Sequence, residues 1–216
     1  MLLGRSFEDI LLSIPGILIA LVFNGFAQAY MADKLGDRTP RLNGKLSISP
    51  KEHVDPIGFI FFAIVGFGWS KPVDINRNNF KNIRIDDSLV TASGFIGNLL
   101  MSVLFAILIK LTNISNLIEI LGSNIGNNLD TILRYVIWYN AIFFVLGILP
   151  IPPFSGSRIL ENLTDIDRFE FYATLKRYGF IVFMILAITP ILSMIITPPT
   201  IFIYQSILKI FNIPII

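Results

Sequence analysis

Long stretches of this chain carry no charged side chain, and short polar loops separate them. An ionised group at the bilayer centre costs about 2.5–3.5 kcal/mol even on lenient scales, so such runs mark candidate membrane segments. The first, Ile10 to Ala32, has 23 residues, enough for a hydrocarbon core that needs roughly 20. The second, Pro56 to Ser70, has only 15 and contains Gly58, Gly66 and Gly68. It is short for a crossing and suits a re-entrant element tucked against other helices. Ser88 to Ile109 is long enough to span. So is Tyr135 to Ser157, although Pro150, Pro152 and Pro153 must end its helix. Pro190 and the pair Pro198-Pro199 divide the last run, Tyr178 to Leu208, into a spanning helix and a shorter second piece. The pattern predicts an all-α polytopic membrane protein with about five or six membrane segments, one of them re-entrant. It reads as a single membrane-embedded domain over residues 1–216, with the lipid bilayer as its first partner.

The loops suggest an orientation. Loop 33–55 carries Lys34, Arg38, Arg41, Lys45 and Lys51; loop 71–87 carries Lys71, Arg77, Lys81 and Arg84; loop 158–177 carries Arg158, Arg168, Lys176 and Arg177. Loop 110–134 has only Lys110 and Arg134. If the short second run enters and leaves on one side, all three basic loops share that side. The positive-inside rule then makes it cytoplasmic and puts the N-terminus outside.

Composition narrows the function. Hydrophobic residues make up 54% and charged residues 15% of the chain, against about a quarter charged in a soluble domain. The net charge of +2 is too balanced to argue for nucleic acid. The absence of cysteine excludes disulfides, thiolate metal sites and cysteine nucleophiles. The start of the chain does not read as a signal peptide, since Glu8 and Asp9 follow Arg5 and no small-residue cleavage site follows the apolar run. No internal repeat is visible.

Polar residues on a spanning helix are the default functional candidates. Asn24 and Gln28 stand four apart on the first helix and so share a face. The fourth long run ends in Leu149-Pro150-Ile151-Pro152-Pro153-Phe154-Ser155-Gly156, where proline frees the backbone from helix and can hold Ser155 at an irregular point within the membrane fold. These two segments resemble the site-2 proteases, the intramembrane zinc metalloproteases of peptidase class M50, and most of all their short, core-only bacterial branch. In that family the first core helix bears His-Glu-x-x-His-Ala, and a later segment bears Asn-x-Leu-Pro-Ile-Pro-Pro-Leu-Asp-Gly. The stretches Leu35–Arg41, His53–Gly58, Phe67–Val73, Asn79–Asn82 and Ser93–Asn98 are similar to that branch as well, so the resemblance covers roughly residues 14–160.

The resemblance implies two zinc-binding His residues, an Asp ligand and a Glu general base. This chain has Asn24 and Gln28 where the family has the two His, Gly25 where it has the Glu, and Ser155 where it has the Asp. A further family Asn, seven residues after Asn140, is Gly147 here. Amides and a hydroxyl are weak neutral donors for Zn²⁺, and a catalytic zinc wants three strong ones. Gly25 has no side chain with which to take a proton. The expectation is therefore that no catalytic set is intact, that the family's zinc is absent, and that the chain is a pseudoprotease. It would bind or regulate a membrane partner, such as a client's transmembrane segment. Residual or altered hydrolysis is one alternative. A small transport path lined by Asn24, Gln28, Asn98, Asn140 and Ser155 is the other.

Each candidate has a plainer reading. Asn24 and Gln28 could line a pocket, or could hydrogen-bond between helices. Asn98 and Asn140 could face the old site or serve helix packing. Trp69 and Lys71 could clamp an extended substrate by β-addition, as the resemblance implies, or be an interfacial Trp and a snorkelling Lys. His53, the only histidine, is expected to be structural, and Asp165 and Asp167 to be solvated.

Overall fold

The computed structural model describes residues 6–65, 68–112 and 122–215; Gly66 and Phe67, from the second apolar run and its flanking motif, lie outside them. The described residues form helices with irregular connections, and the only β pairing is one isolated bridge. Helix α1 is Phe7–Lys34. Its start is fixed by a capping box: Asp9 N donates to Ser6 Oγ at 3.1 Å, and Ser6 N donates back to the Asp9 carboxylate at 3.3 Å. Two short turns, α2 (Thr39–Leu42) and α3 (Pro50–His53), follow, each opened by a proline near its start. Next come α4 (Pro56–Val65), α5 (Ile83–Thr112), α6 (Ser123–Ile148), α7 (Ser155–Leu163), α8 (Glu170–Ile188) and α9 (Pro190–Ile210). Helices α1, α5, α6, α8 and α9 are long and apolar enough to cross a membrane.

Helix α4, at ten residues, is too short to cross a core that needs roughly 20. The chain also comes back to where it left. Val54 and Ser70 form an antiparallel bridge, and Lys71 N donates to His53 O at 2.8 Å. The segment between them is therefore an inward excursion, as its length predicts. Its Phe62 is fully buried against Tyr139 and stacks on Phe143.

The three basic loops meet at one end of the bundle. Asp37, fully buried, accepts from Thr39 N, from Asn76 N at 2.8 Å and from Asn79 Nδ2 at 2.8 Å, which joins the first loop to the second. Burial opposes the charge of this carboxyl, but the hydrogen bonds outweigh it and hold its pKa below the usual carboxylate range. Asp87, also fully buried, accepts from Arg77, from Arg158 Nε at 3.0 Å and from Asn162 Nδ2 at 2.7 Å. That one carboxylate joins the second loop, α5 and α7.

Two expectations need correction. Helix α6 begins at Ser123, twelve residues before the charge-free run that marked it, because Asp130 and Arg134 pair within it at 2.7 Å and so tolerate burial. The last run does not yield a spanning helix and a shorter piece. It breaks only at Pro190, and Pro198 and Pro199 lie inside α9, a helix of 21 residues against 19 for α8. Each proline there takes one donor from the preceding turn, yet the lipid offers no other partner, so the rest of the helix persists. These two helices do not form a simple hairpin. Tyr172 and Lys176 near the start of α8 bond Ser157 O and Glu161, whereas Pro214 O beyond α9 accepts from Arg134. The pair together carries the chain from the basic end to the end where Asp9 meets Tyr135.

Close helix contact depends on small residues. A Cβ on Gly16 would lie 2.8 Å from the Tyr135 backbone on α6. Gly16→Ala is expected to push α1 off α6 and to cost about 1–3 kcal/mol, read as a lower thermal midpoint in detergent; an unchanged midpoint would show that the contact yields freely.

Candidate functional site

A run of four amides crosses the bundle. Gln28 Nε2 donates to Asn24 Oδ1 at 2.8 Å, and Asn24 Nδ2 donates to Asn98 Oδ1 at 2.6 Å. Asn98 Nδ2 donates both to Asn140 Oδ1 at 2.9 Å and to Ala20 O at 2.9 Å, and Asn140 Nδ2 donates to Val136 O at 2.8 Å. The chain thus ties α1 to α5 and α5 to α6. Asn98 and Asn140 are fully buried. Gly94 makes room for the amides, since a Cβ there would sit 2.6 Å from Gln28 Nε2.

Above this run opens a cavity of about 670 Å³. Asn24, Gly25 and Gln28 line it from α1, Ser70 to Val73 from the segment after α4, and Pro152 to Ser155 from the turn before α7. The proline turn carries Ser155 there, and Gly156 fits so closely against the end of α6 that a Cβ would overlap the carbonyl of Ile148. Asn24, Gly25, Gln28 and Ser155, far apart in sequence, are therefore neighbours around one space. Lys71 joins them. Trp69, expected in the groove, does not line it; its ring packs on Phe61 and Phe180 at 5.7 and 5.4 Å. Asn98 and Asn140 lie behind the lining, in the amide run. Arg77, Thr91, Ser157, Arg158, Glu161 and Lys176 also line the cavity. No local spacing links them, because they come from the second basic loop and from three separate helices, α5, α7 and α8, that only tertiary packing brings together.

His53 lies behind the site's lining, against Gly25. It is fully buried, Nε2 donates to Ser47 O at 2.7 Å, and Nδ1 has no hydrogen-bond partner among the described residues. The ring lies against Gly25, where any Cβ would overlap Nδ1. Burial pushes the imidazole pKa below its ordinary 6.5, outweighing the opposing hydrogen bond to Ser47. Asp165 remains at the surface, paired with Arg84 at 3.2 Å and Arg168 at 3.4 Å. The donors that Asn24, Gln28 and Ser155 offer are neutral amide and hydroxyl groups. Among the described residues, no group of three or more His, Cys, Asp or Glu could hold a metal ion.

Apolar helices around a cavity that is walled by a proline turn and an inward hairpin define a polytopic membrane protein with its candidate site at one end of the bundle. Comparison with known proteins supplies the family. The chain is 33% identical over 196 residues to YwhC of Bacillus subtilis (strain 168), covering 91% of this chain and 89% of that protein, which is named as a candidate zinc metalloprotease. It is 25% identical over 190 residues to Rip2 of Mycolicibacterium smegmatis (strain ATCC 700084 / mc(2)155), a candidate zinc metalloprotease by name, covering 85% and 69%. No family model and no solved structure matches. The chain belongs to the site-2 protease family, peptidase class M50.

Gly25→Ala is expected to destabilise the protein by about 1–3 kcal/mol through overlap with His53. His53→Ser should restore most of that loss, because it removes the atom in the way; a double-mutant cycle with no coupling would contradict the contact. The buried neutral imidazole also sets a pH dependence. The unfolded chain binds its proton near pH 6.5 and the folded chain only at lower pH, so the stability His53 confers is complete above 6.5. It should fall as the pH drops from there toward the depressed folded value. Wild type and His53→Gln melted in parallel should diverge only below that point.

Proposed function

We propose that this chain is a non-catalytic member of the site-2 protease family, which keeps the family's cavity and uses it to bind or regulate a membrane partner. The observation that carries the reading is the gathering of Asn24, Gly25, Gln28 and Ser155 around one cavity. The family resemblance puts zinc ligands and the general base at these four positions. The donor set does not fit a catalytic zinc, which wants three strong N, O or S donors and an open position. Gly25 offers no group to take a proton from water. What remains is a polar cavity beside the segment after α4. Among the described residues, the backbone of Val73 on its rim takes no hydrogen bond, which suits an extended strand added from a partner. The meeting of the three basic loops at this end supports a cytoplasmic placement for the cavity, with the N-terminus outside, in a bacterial cell membrane.

The test uses purified protein in nanodiscs, supplied with zinc and fluorogenic transmembrane substrates. No cleavage above the empty-disc background is expected, while a photoreactive residue at position 73 crosslinks the same substrates uncleaved. Zinc-dependent cleavage stopped by a chelator would contradict the non-catalytic reading. Absence of both cleavage and crosslinking would contradict the cavity as a binding groove.

A further inference from the structure

The cavity's charge is uneven. Among the described residues, Lys71, Arg77, Arg158 and Lys176 line it, against the one carboxylate of Glu161. Lys176 pairs with Glu161 at 2.6 Å, so those two cancel. Arg77 and Arg158 share Asp87, whose one negative charge lies buried behind them and can offset only one guanidinium. Both arginine side chains remain open to the cavity side, 42% and 36% exposed. Among the described residues Lys71 forms no ion pair with a carboxylate: its ammonium donates to the backbone carbonyl of Lys51 at 2.8 Å. One guanidinium and one ammonium are therefore uncompensated in a concave, partly water-excluded space, where such charges attract anions more strongly than on an open surface.

The rest of the lining indicates what kind of anion. The non-helical segment Ser70 to Val73 forms one wall, where the Val73 backbone has no hydrogen-bond partner among the described residues, and Gln28, Ser155 and Ser157 line the others with neutral polar side chains. Backbone edges recognise another backbone; a lipid headgroup has none to offer. We infer that the partner segment entering this cavity is acidic, with an Asp or Glu side chain, flanking its transmembrane helix, seated between Lys71 and the Arg77–Arg158 pair. This inference rests on the reading of the cavity as a binding groove and adds the chemistry by which it selects a partner.

Full-length protein in phosphatidylcholine nanodiscs is titrated with fluorescent transmembrane peptides that share one apolar span and differ in a flanking extended segment bearing a pair of Asp, Asn or Lys residues. The Asp peptide is expected to bind about tenfold more tightly than the Asn peptide, one ion pair's worth of discrimination, and the Lys peptide more weakly than either. The preference should collapse in Lys71→Gln and persist in Lys81→Gln, which removes an exposed charge outside the cavity. Added salt should weaken the Asp peptide's binding selectively, a measurement that needs only wild type. Equal binding of the Asp and Asn peptides would overturn the inference and leave the groove standing. No binding by any peptide would overturn the groove itself. Loss of the preference in Lys81→Gln would reduce it to general surface attraction, and Lys71-dependent binding of short-chain phosphatidylglycerol without any Asp preference would assign the charge to a lipid headgroup; either result overturns the inference.

Discussion

The hydrocarbon core offers no water, so every polar group on a crossing helix must find its partner inside the protein. That constraint organises this molecule through the amide run from Gln28 to Asn140. Each interhelical bond contributes only about 0.6–2 kcal/mol, but the run fixes how α1, α5 and α6 stand against one another. Ser93 Oγ on Ala27 O and Ser102 Oγ on Ile137 O, both at 3.1 Å, reinforce the same two junctions. Asn24 and Gln28 also line the cavity; Asn24 bonds across to Asn98 on α5, while Gln28 bonds within its own helix, to Asn24. A site that lost its charged and basic groups in this setting would still need neutral polar ones to satisfy its neighbours.

At the membrane boundary the problem changes from satisfying dipoles to holding charge. Asp37 and Asp87 are both fully buried and both solve it by collecting donors from separate segments. A buried carboxylate with several donors is weak evidence for net stability, since its desolvation offsets much of what the pairing returns. Its effect is positional: Asp87 holds Arg77 and Arg158 on the cavity wall, and Asp37 holds the loop that leads to them. The electrostatic character of the cavity thus follows from a residue that does not line it.

Much of this architecture was legible from charge alone, because the cost of burying an ion makes membrane segments visible as gaps between charges. The length of the short second run marks it as an excursion, for ten helical residues cannot reach across. Where charge was itself satisfied, the signal failed: the Asp130–Arg134 pair hid the first three turns of α6. Prolines misled in the last run, since a missing donor inside lipid bends a helix more readily than it ends one. Asn24 and Gln28 were legible as polar residues sharing a face of a spanning helix and Ser155 from the proline turn, whereas Gly25 was legible only through its place in a family motif. Asp87 on α5 and its α7 partners Arg158 and Asn162 lie 71 and 75 residues apart, a relation no local spacing can carry. As a lone imidazole in a basic loop, His53 carries no signal in sequence beyond a structural role. Its place against Gly25 follows from the return of the chain after α3 and could not be seen in sequence.

We propose that the family's fold persists here around a cavity whose donors do not hold the family's metal. The test is elemental mass spectrometry of the purified, unwashed protein. Zinc and other transition metals are expected to stay far below one equivalent per chain, even after growth in zinc-supplemented medium. Near-stoichiometric zinc, released by a chelator and retained less well in Asn24→Ala or Gln28→Ala, would contradict it and return the chain to the metalloproteases.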